Sequence, residues 1–328
     1  MQFKSFEVEV LRGSKVESQH TVVASVFARD EKQMASFGDD HRLVFPRSCI
    51  KPIQAMPLIL TSAAKHFQLG NEELALSCAS HRGEDFHIKI LRNWMSNVGI
   101  SENDLECGTH PPTNTDSLYQ LLRSQNLPTP IYNNCSGKHI GMITTSIYLN
   151  EPIKNYVSLQ HPVQKRINHY IETFCHVSLN ANTFSIDGCS IPTPAIPLKN
   201  LAEGFCEFSD PIRLTSIESD ACQKLFSACV THPLLTAGTG HYCSEAMKET
   251  KGQVLIKGGA EGVLAGTIPK LKLGFAVKTI DGNSRATEFC TSLLLNRFGL
   301  LPNSSDLLQP KIYNWNQIET GFIRLADH

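Results

Sequence analysis

Apolar and polar residues alternate through FEVEVLRG (6–13) and again through HTVVASVFARD (20–30), on either side of a Gly-Ser-Lys turn. Successive side chains of a strand point to opposite faces, so a period of two predicts an opening antiparallel hairpin with one face buried. The pattern then changes. SCIKPIQAMPLILTSAAKHF (48–67) is helical in composition. Pro52 is tolerated there if the helix begins near Ser48, because the first N–H groups of a helix have no internal partner, and Pro57 has to be accommodated further on. Helical spacing recurs at 84–98, 115–124, 138–149, 161–175 and 211–230. Strand character returns in VLIKGG (254–259) and KLGFAVKTI (272–280), separated by a Gly-rich connection and followed by a helix over 285–298.

Strands therefore open and close the chain, with helices between. This order predicts an α+β fold in which both chain ends build one antiparallel sheet and a helical insertion, roughly 48–230, packs on it. No internal repeat, low-complexity tract or linker interrupts the sequence, so residues 1–328 are read as a single domain.

Charge narrows the partners. Thirty Lys and Arg against thirty-one Asp and Glu give a pI near 6.9, with no excess to attract a phosphate backbone or an anionic membrane surface, and nucleic acid is not expected as a partner. No apolar run approaches the roughly eighteen residues of a membrane span, and MQFKSFEVEV has neither a basic region nor an apolar stretch of the export type. A cytoplasmic protein is expected. The eleven cysteines are odd in number, which predicts reduced thiols, with Cys78, Cys175, Cys206, Cys222, Cys229, Cys243 and Cys290 serving as small apolar core residues.

The candidate chemistry starts at Ser48. In a helical turn residues i and i+3 share a face, which brings Lys51 beside the Ser48 hydroxyl. A neutral lysine can take the serine proton during attack on a carbonyl carbon, provided that burial or a second cation, here Lys257, lowers its pKa from about 10.4. Unpaired N–H groups at the helix start can stabilise the oxyanion. S-x-x-K by itself is common. Here Ser80 follows in CASHRGE and Lys257 opens KGG at the end of an apolar strand, in the chain order of the S-x-x-K, serine-loop and K-T-G elements of penicillin-reactive enzymes. Arg47, next to Ser48, is suited to a substrate carboxylate. His81, Glu84 and His87 form a polar cluster suited to a supporting network or a helix cap, and His110 to ordering its loop. Gly258, Gly259 and Gly262 let backbone approach the site. Cys135 and Cys189, in NNCSGKH and DGCS, are either two buried thiols or a thiolate pair that holds Zn²⁺ with Lys138, His139 or Asp187 nearby.

PRSCIKPIQ (46–54), SHRGEDFH (80–87), CGTHPP (107–112), NNCSGKHIGM (133–142), DGCSIPTPA (187–195), AGTG (237–240), KGGAEGV (257–263) and KTIDGNSRA (278–286) resemble the asparaginase II family, the rhizobial-type or class 3 L-asparaginases. The resemblance runs over roughly residues 5–325. It implies a serine β-lactamase/DD-peptidase-like fold, a homodimer, and hydrolysis of L-asparagine to L-aspartate and ammonia. It implies Ser48 and Lys51 as one Ser-Lys pair and Ser80 with Lys257 as a second. We assign Ser48 as nucleophile, Lys51 as base, Ser80 as proton relay and Lys257 as electrostatic tuner. It further implies zinc on Cys135, Lys138 and Cys189, and we expect Arg47, His81, Asp187 and His139 to bind substrate. His241 stands where the family commonly has Arg. A serine glutaminase or a β-lactamase-like hydrolase is the alternative enzyme, and a non-catalytic zinc-binding protein the alternative of another class.

Overall fold

The computed structural model describes residues 1–29, 32–209 and 211–326. The chain forms two compact units. One comprises Met1–Cys49, Ile196–Asp210 and Glu249–His328; the other comprises Ile50–Ala195 and Pro211–Lys248.

The first unit is built on the opening hairpin. Phe6–Arg12 pairs antiparallel with Lys15–Ala28, and Gly13, at φ +55°, makes the reversal. The second strand is longer than its alternation suggests and ends at Ala28; Asp30, the end of the expected strand, lies outside the described residues. The sheet runs in the order Lys311–Tyr313, Glu319–Leu325, Phe6–Arg12, Lys15–Ala28, Leu273–Thr279, Val263–Ile268, Leu255–Gly259. These neighbours pair antiparallel. Both chain ends thus build one sheet, as the pattern of strands requires.

The Gly-rich connection expected between 259 and 272 is itself a strand, Val263–Ile268, buried along its whole length. The helices Leu198–Ser209 and Ser284–Arg297 pack against it. A fully covered strand loses the alternation that identifies a half-buried one. Close packing also explains Gly274: a Cβ there would lie 2.0 Å from the Cys206 nitrogen, so helix Leu198–Ser209 docks directly on strand backbone. Residues 198–209 consequently belong to the sheet unit, although they fall within the expected helical insertion.

The second unit is helical. Its central helix, Ser136–Tyr148, is buried from Ser136 to Ser146. Small residues permit this: a Cβ on Gly137 would lie 2.3 Å from the Leu76 carbonyl oxygen of helix Asn71–Ser77. The Thr144 and Thr145 hydroxyls donate one turn back, to the Ile140 and Gly141 carbonyls. Asp85–Val98, Thr115–Arg123, Pro162–Cys175 and Ser216–Thr231 surround or extend this centre. The single helix expected over 48–67 is instead four short pieces, Arg47–Ile50, Lys51–Gln54, Met56–Leu60 and Ala63–His66. Pro52 and Pro57 each sit in a first turn. A proline has no N–H to give to a ladder already under way, so the helix restarts at each one.

All eleven cysteines are buried thiols outside any disulfide, as the odd count and chain length suggest. Among the described residues no helix is long and apolar enough to cross a membrane.

Candidate active site

Arg47, Ser48 and Lys257 belong to the sheet unit. Ser48 stands in the turn Arg47–Ile50, which is closed by the Cys49 nitrogen and Cys49 Sγ, both donating to the Pro46 carbonyl at 3.1 and 2.8 Å. Arg47 has φ +50°. For a non-glycine residue that conformation costs on the order of 1–3 kcal/mol and persists only where its surroundings fix it. The edge strand Leu255–Gly259 abuts this turn: a Cβ on Gly259 would lie 2.7 Å from the Pro46 oxygen and 3.2 Å from the Cys49 nitrogen. Glycine is therefore required there, and the strand carrying Lys257 is fixed against the turn carrying Ser48. Lys257 is buried, with Nζ donating to the Gly258 carbonyl at 3.0 Å.

Lys51, Ser80, the two thiols and the histidines belong to the helical unit. Lys51 opens helix Lys51–Gln54 and is 0% exposed. Its amine donates to the Ala79 carbonyl and lies 3.1 Å from the Ser80 hydroxyl. Burial pushes this amine below the ordinary lysine value; the Lys138 charge acts in the same direction, and the Cys135 and Cys189 sulfurs oppose it. Among these groups it is the lysine poised to accept a proton. The Ser80 backbone is held by its N–H donating to the Thr236 carbonyl at 3.0 Å.

Cys135, Lys138 and Cys189 do come together. Lys138 Nζ lies 3.1 Å from Cys189 Sγ, and Cys189 Sγ lies 3.7 Å from Asp187 Oδ2. The hydrogen bond from Cys189, then the Lys138 and Lys51 charges, hold Cys135 well below the ordinary thiol value, while the same bond and burial push Cys189 up. Burial alone would lower Lys138, but Cys135, Cys189 and Asp187 outweigh it and raise the amine above its ordinary value. Two sulfurs suit a borderline-soft ion such as Zn²⁺. Lys138 could add a third donor only after loss of its proton. Among the described residues no group of three or more His, Cys, Asp or Glu side chains is placed to hold a metal.

The histidines divide. His81 Nε2 donates to Ser136 Oγ at 2.8 Å, that hydroxyl donates to the Ile131 carbonyl, and His81 Nδ1 accepts from the Gly83 N–H. Both ring nitrogens have protein partners, which leaves none for a substrate. The expected substrate role of His81 gives way to a structural one. His87 stacks on it at 5.1 Å, accepts from the Glu84 N–H and donates to the Leu234 carbonyl, the helix-cap role expected of Glu84 and His87. His139 is fully buried, with Nδ1 2.7 Å from the Tyr156 hydroxyl and Nε2 without a hydrogen-bond partner. His110 accepts from the Asn134 N–H and donates to the Pro111 carbonyl, ordering its loop.

Tyr156 and Ser136, which support these rings, are not among the residues to which the sequence points, and neither is Arg82. Ser136 and Arg82 lay within conspicuous motifs; Tyr156 lay in none. Arg82 donates to the Thr239 and Thr113 carbonyls while the Glu84 carboxylate accepts from the Thr239 N–H. SHRGE thereby ties AGTG to the loop after THPP. Gly238, at φ +95°, makes room, since a Cβ there would lie 2.5 Å from Arg82 Cγ.

Burial pushes His87 down to about 4. The folded protein thus leaves this ring neutral where the unfolded chain protonates it, and stability falls as pH drops from about 6.5 to about 4. We expect His87→Gln, which keeps a donor for Leu234, to flatten that fall by roughly 3 kcal/mol. Urea unfolding at pH 7 and pH 4 measures it, and identical pH dependence in the two proteins would refute the assignment.

A buried, acid-shifted lysine beside a serine hydroxyl can act as a base toward a nucleophile. The family is shown by sequence: the L-asparaginase II model matches residues 8–325, and the chain belongs to that family of amidohydrolases. No curated protein matches it. Among solved structures it is similar to a β-lactamase from Mycobacterium bovis (12% identity, TM-score 0.44, covering 84% of this chain and 94% of that one). It is also similar to a β-lactamase from Sphaerobacter thermophilus (12%, 0.41, 86% and 93%) and to a Bacillus glutaminase (12%, 0.36, 85% and 91%). These likenesses are distant, and none bears on activity.

Proposed function

We propose that the protein hydrolyses L-asparagine to L-aspartate and ammonia through an acyl-enzyme on Ser48. The observation that carries this reading is the fully buried Lys51 amine, 3.1 Å from the Ser80 hydroxyl and three residues along the chain from Ser48, in a chain of the asparaginase II family.

Ser48 Oγ attacks the side-chain carboxamide carbon and its proton passes to Lys51. The C–N bond breaks as Ser80 relays that proton to the departing nitrogen, releasing ammonia. Water then attacks the ester, its proton returning through Lys51, and aspartate leaves as Ser48 is restored. Lys257, on the strand that abuts the Ser48 turn, favours the developing negative charge. The α-carboxylate is assigned to Arg47 and the α-ammonium to Asp187. His139 Nε2 is retained as a substrate contact.

A zinc ion would be held by Cys135, Cys189 and Lys138, and would supply a fixed positive charge that orients substrate and the two loops. Wild-type protein is expected to take up stoichiometric zinc, read by elemental analysis, and the Cys135→Ser/Cys189→Ser double variant to lose it. Equal uptake by both would refute these ligands. The chain is also assigned as a cytoplasmic homodimer; sedimentation giving the mass of one chain would contradict the dimer.

The substrate is tested by ammonia release from asparagine and glutamine at equal concentration. Much faster release from asparagine is expected. Faster release from glutamine, or stable acylation by a penicillin, would replace the reading with a glutaminase or a β-lactamase-like hydrolase.

A further inference from the structure

Two buried threonine hydroxyls brace the hairpin that carries Lys257. Leu255–Gly259 and Val263–Ile268 are joined by a tight turn in which Glu261 and Gly262 both have positive φ, +63° and +62°. The Gly262 carbonyl at this tip accepts two hydrogen bonds, from the Thr279 N–H and from Thr287 Oγ1, each at 2.9 Å. Thr279 Oγ1 lies 2.6 Å from Thr287 Oγ1. The Thr287 hydroxyl also lies 3.3 Å from the Asn283 carbonyl, one turn back; with its proton on the nearer Gly262 oxygen it accepts from Thr279, and the hydroxyls form a relay ending on the tip. Thr279 is 0% and Thr287 2% exposed; water does not compete for these bonds.

The ground on which the threonines stand is itself fixed. Asp281 Oδ2 lies 2.6 Å from His20 Nδ1, and the Asn283 side chain caps helix Ser284–Arg297 by accepting from the Arg285 N–H. A Cβ on Gly262 would lie 2.9 Å from the Gly282 carbonyl carbon, so the two loops meet backbone to backbone. At the other end of the same turn, Gly259 abuts the Pro46 oxygen and the Cys49 nitrogen. The hairpin is therefore held between the threonine relay and the turn carrying Ser48, with Lys257 two residues from the contact.

We infer that Thr287, backed by Thr279, is a positioning residue that sets the placement of Lys257 relative to Ser48 by fixing the hairpin tip. The inference rests on the proposed role of Lys257 in asparagine hydrolysis. A misplacement of about an ångström at a reacting group costs up to roughly a hundredfold in rate, and Thr287→Val removes the donor to Gly262 at nearly constant volume.

The test is a cycle of Thr287→Val, Lys257→Met and the double variant, with kcat and KM for asparagine measured in each. Thr287→Val is expected to lower kcat by roughly ten- to a hundredfold with KM within about twofold, Thr287→Ser to restore most of the loss, and Thr287→Val to cost nothing further once Lys257 is gone. Wild-type kcat in a folded Thr287→Val, or an equal additional loss in the Lys257→Met background, would overturn the inference. If Thr287→Val does not fold, Thr279→Val takes its place: a smaller loss in kcat supports the inference and an unchanged kcat overturns it. Full activity in Lys257→Met would overturn the role of Lys257 and the inference with it, whereas an inactive Lys257→Met beside an unaffected Thr287→Val would remove the inference alone.

Discussion

Lys51→Met is expected to lower asparagine turnover by about a thousandfold while the protein remains folded. Two effects on stability oppose each other. Removing a buried amine relieves its desolvation, but the Ala79 carbonyl, which accepts from Lys51, is left without that partner at a cost of about 1–3 kcal/mol. Methionine is unbranched and close to lysine in length, so it fills the space without new strain. The net change should fall within about 2 kcal/mol. A structural lysine would give the reverse pattern, a large loss of stability with turnover lost only in proportion to the unfolded fraction. Denaturant unfolding and steady-state kinetics on one preparation separate the two. Burial lowers the Lys51 amine, so in wild type the neutral base persists below the usual lysine range. Turnover then declines toward acid as the amine takes up its proton.

Ser48→Ala is expected to have the larger effect on activity and the smaller on stability. A nucleophile and its base act as a unit, so loss of the serine should cost at least as much as loss of the lysine. Ser48 is half-buried, in a short helical turn whose closing hydrogen bonds run from the Cys49 nitrogen and sulfur to Pro46. None of them uses the Ser48 hydroxyl. Alanine should therefore cost about 1 kcal/mol or less.

Much of this architecture was legible because period-two alternation survives wherever a strand has one wet face. Phe6–Arg12 shows it in sequence, with Glu7 and Glu9 between apolar residues; Val263–Ile268, buried throughout, and Leu273–Thr279, buried at every position but Lys278, do not. The strand Glu319–Leu325 alternates in burial but is short and sits beside turn residues, which hides it in the sequence. The helix over 48–67 failed for a local reason, since each proline forces a restart. Thr215 with Glu218, a capping box that starts helix Ser216–Thr231, places that start five residues after the one expected at 211.

At the site, residue types carried further than roles did. Lys138 and Cys189 are expected near one another and lie 3.1 Å apart. His81 could not be placed from sequence. Whether a histidine ring faces substrate or backbone depends on Ser136 and Gly83, and the first of these is more than fifty residues away. The same holds for His139, whose partner Tyr156 lies outside every motif. Strain at Arg47 was likewise invisible, since φ +50° is a property of the folded turn and arginine carries no preference for it.

The most direct measurement is ammonia release from asparagine by wild type and Ser48→Ala, purified in parallel and matched for folded protein by circular dichroism. Wild type should release ammonia steadily and Ser48→Ala at no more than about a thousandth of that rate. Retention of even about a tenth of the rate would contradict Ser48 as nucleophile and would transfer the role to Ser80, whose hydroxyl already lies 3.1 Å from the Lys51 amine.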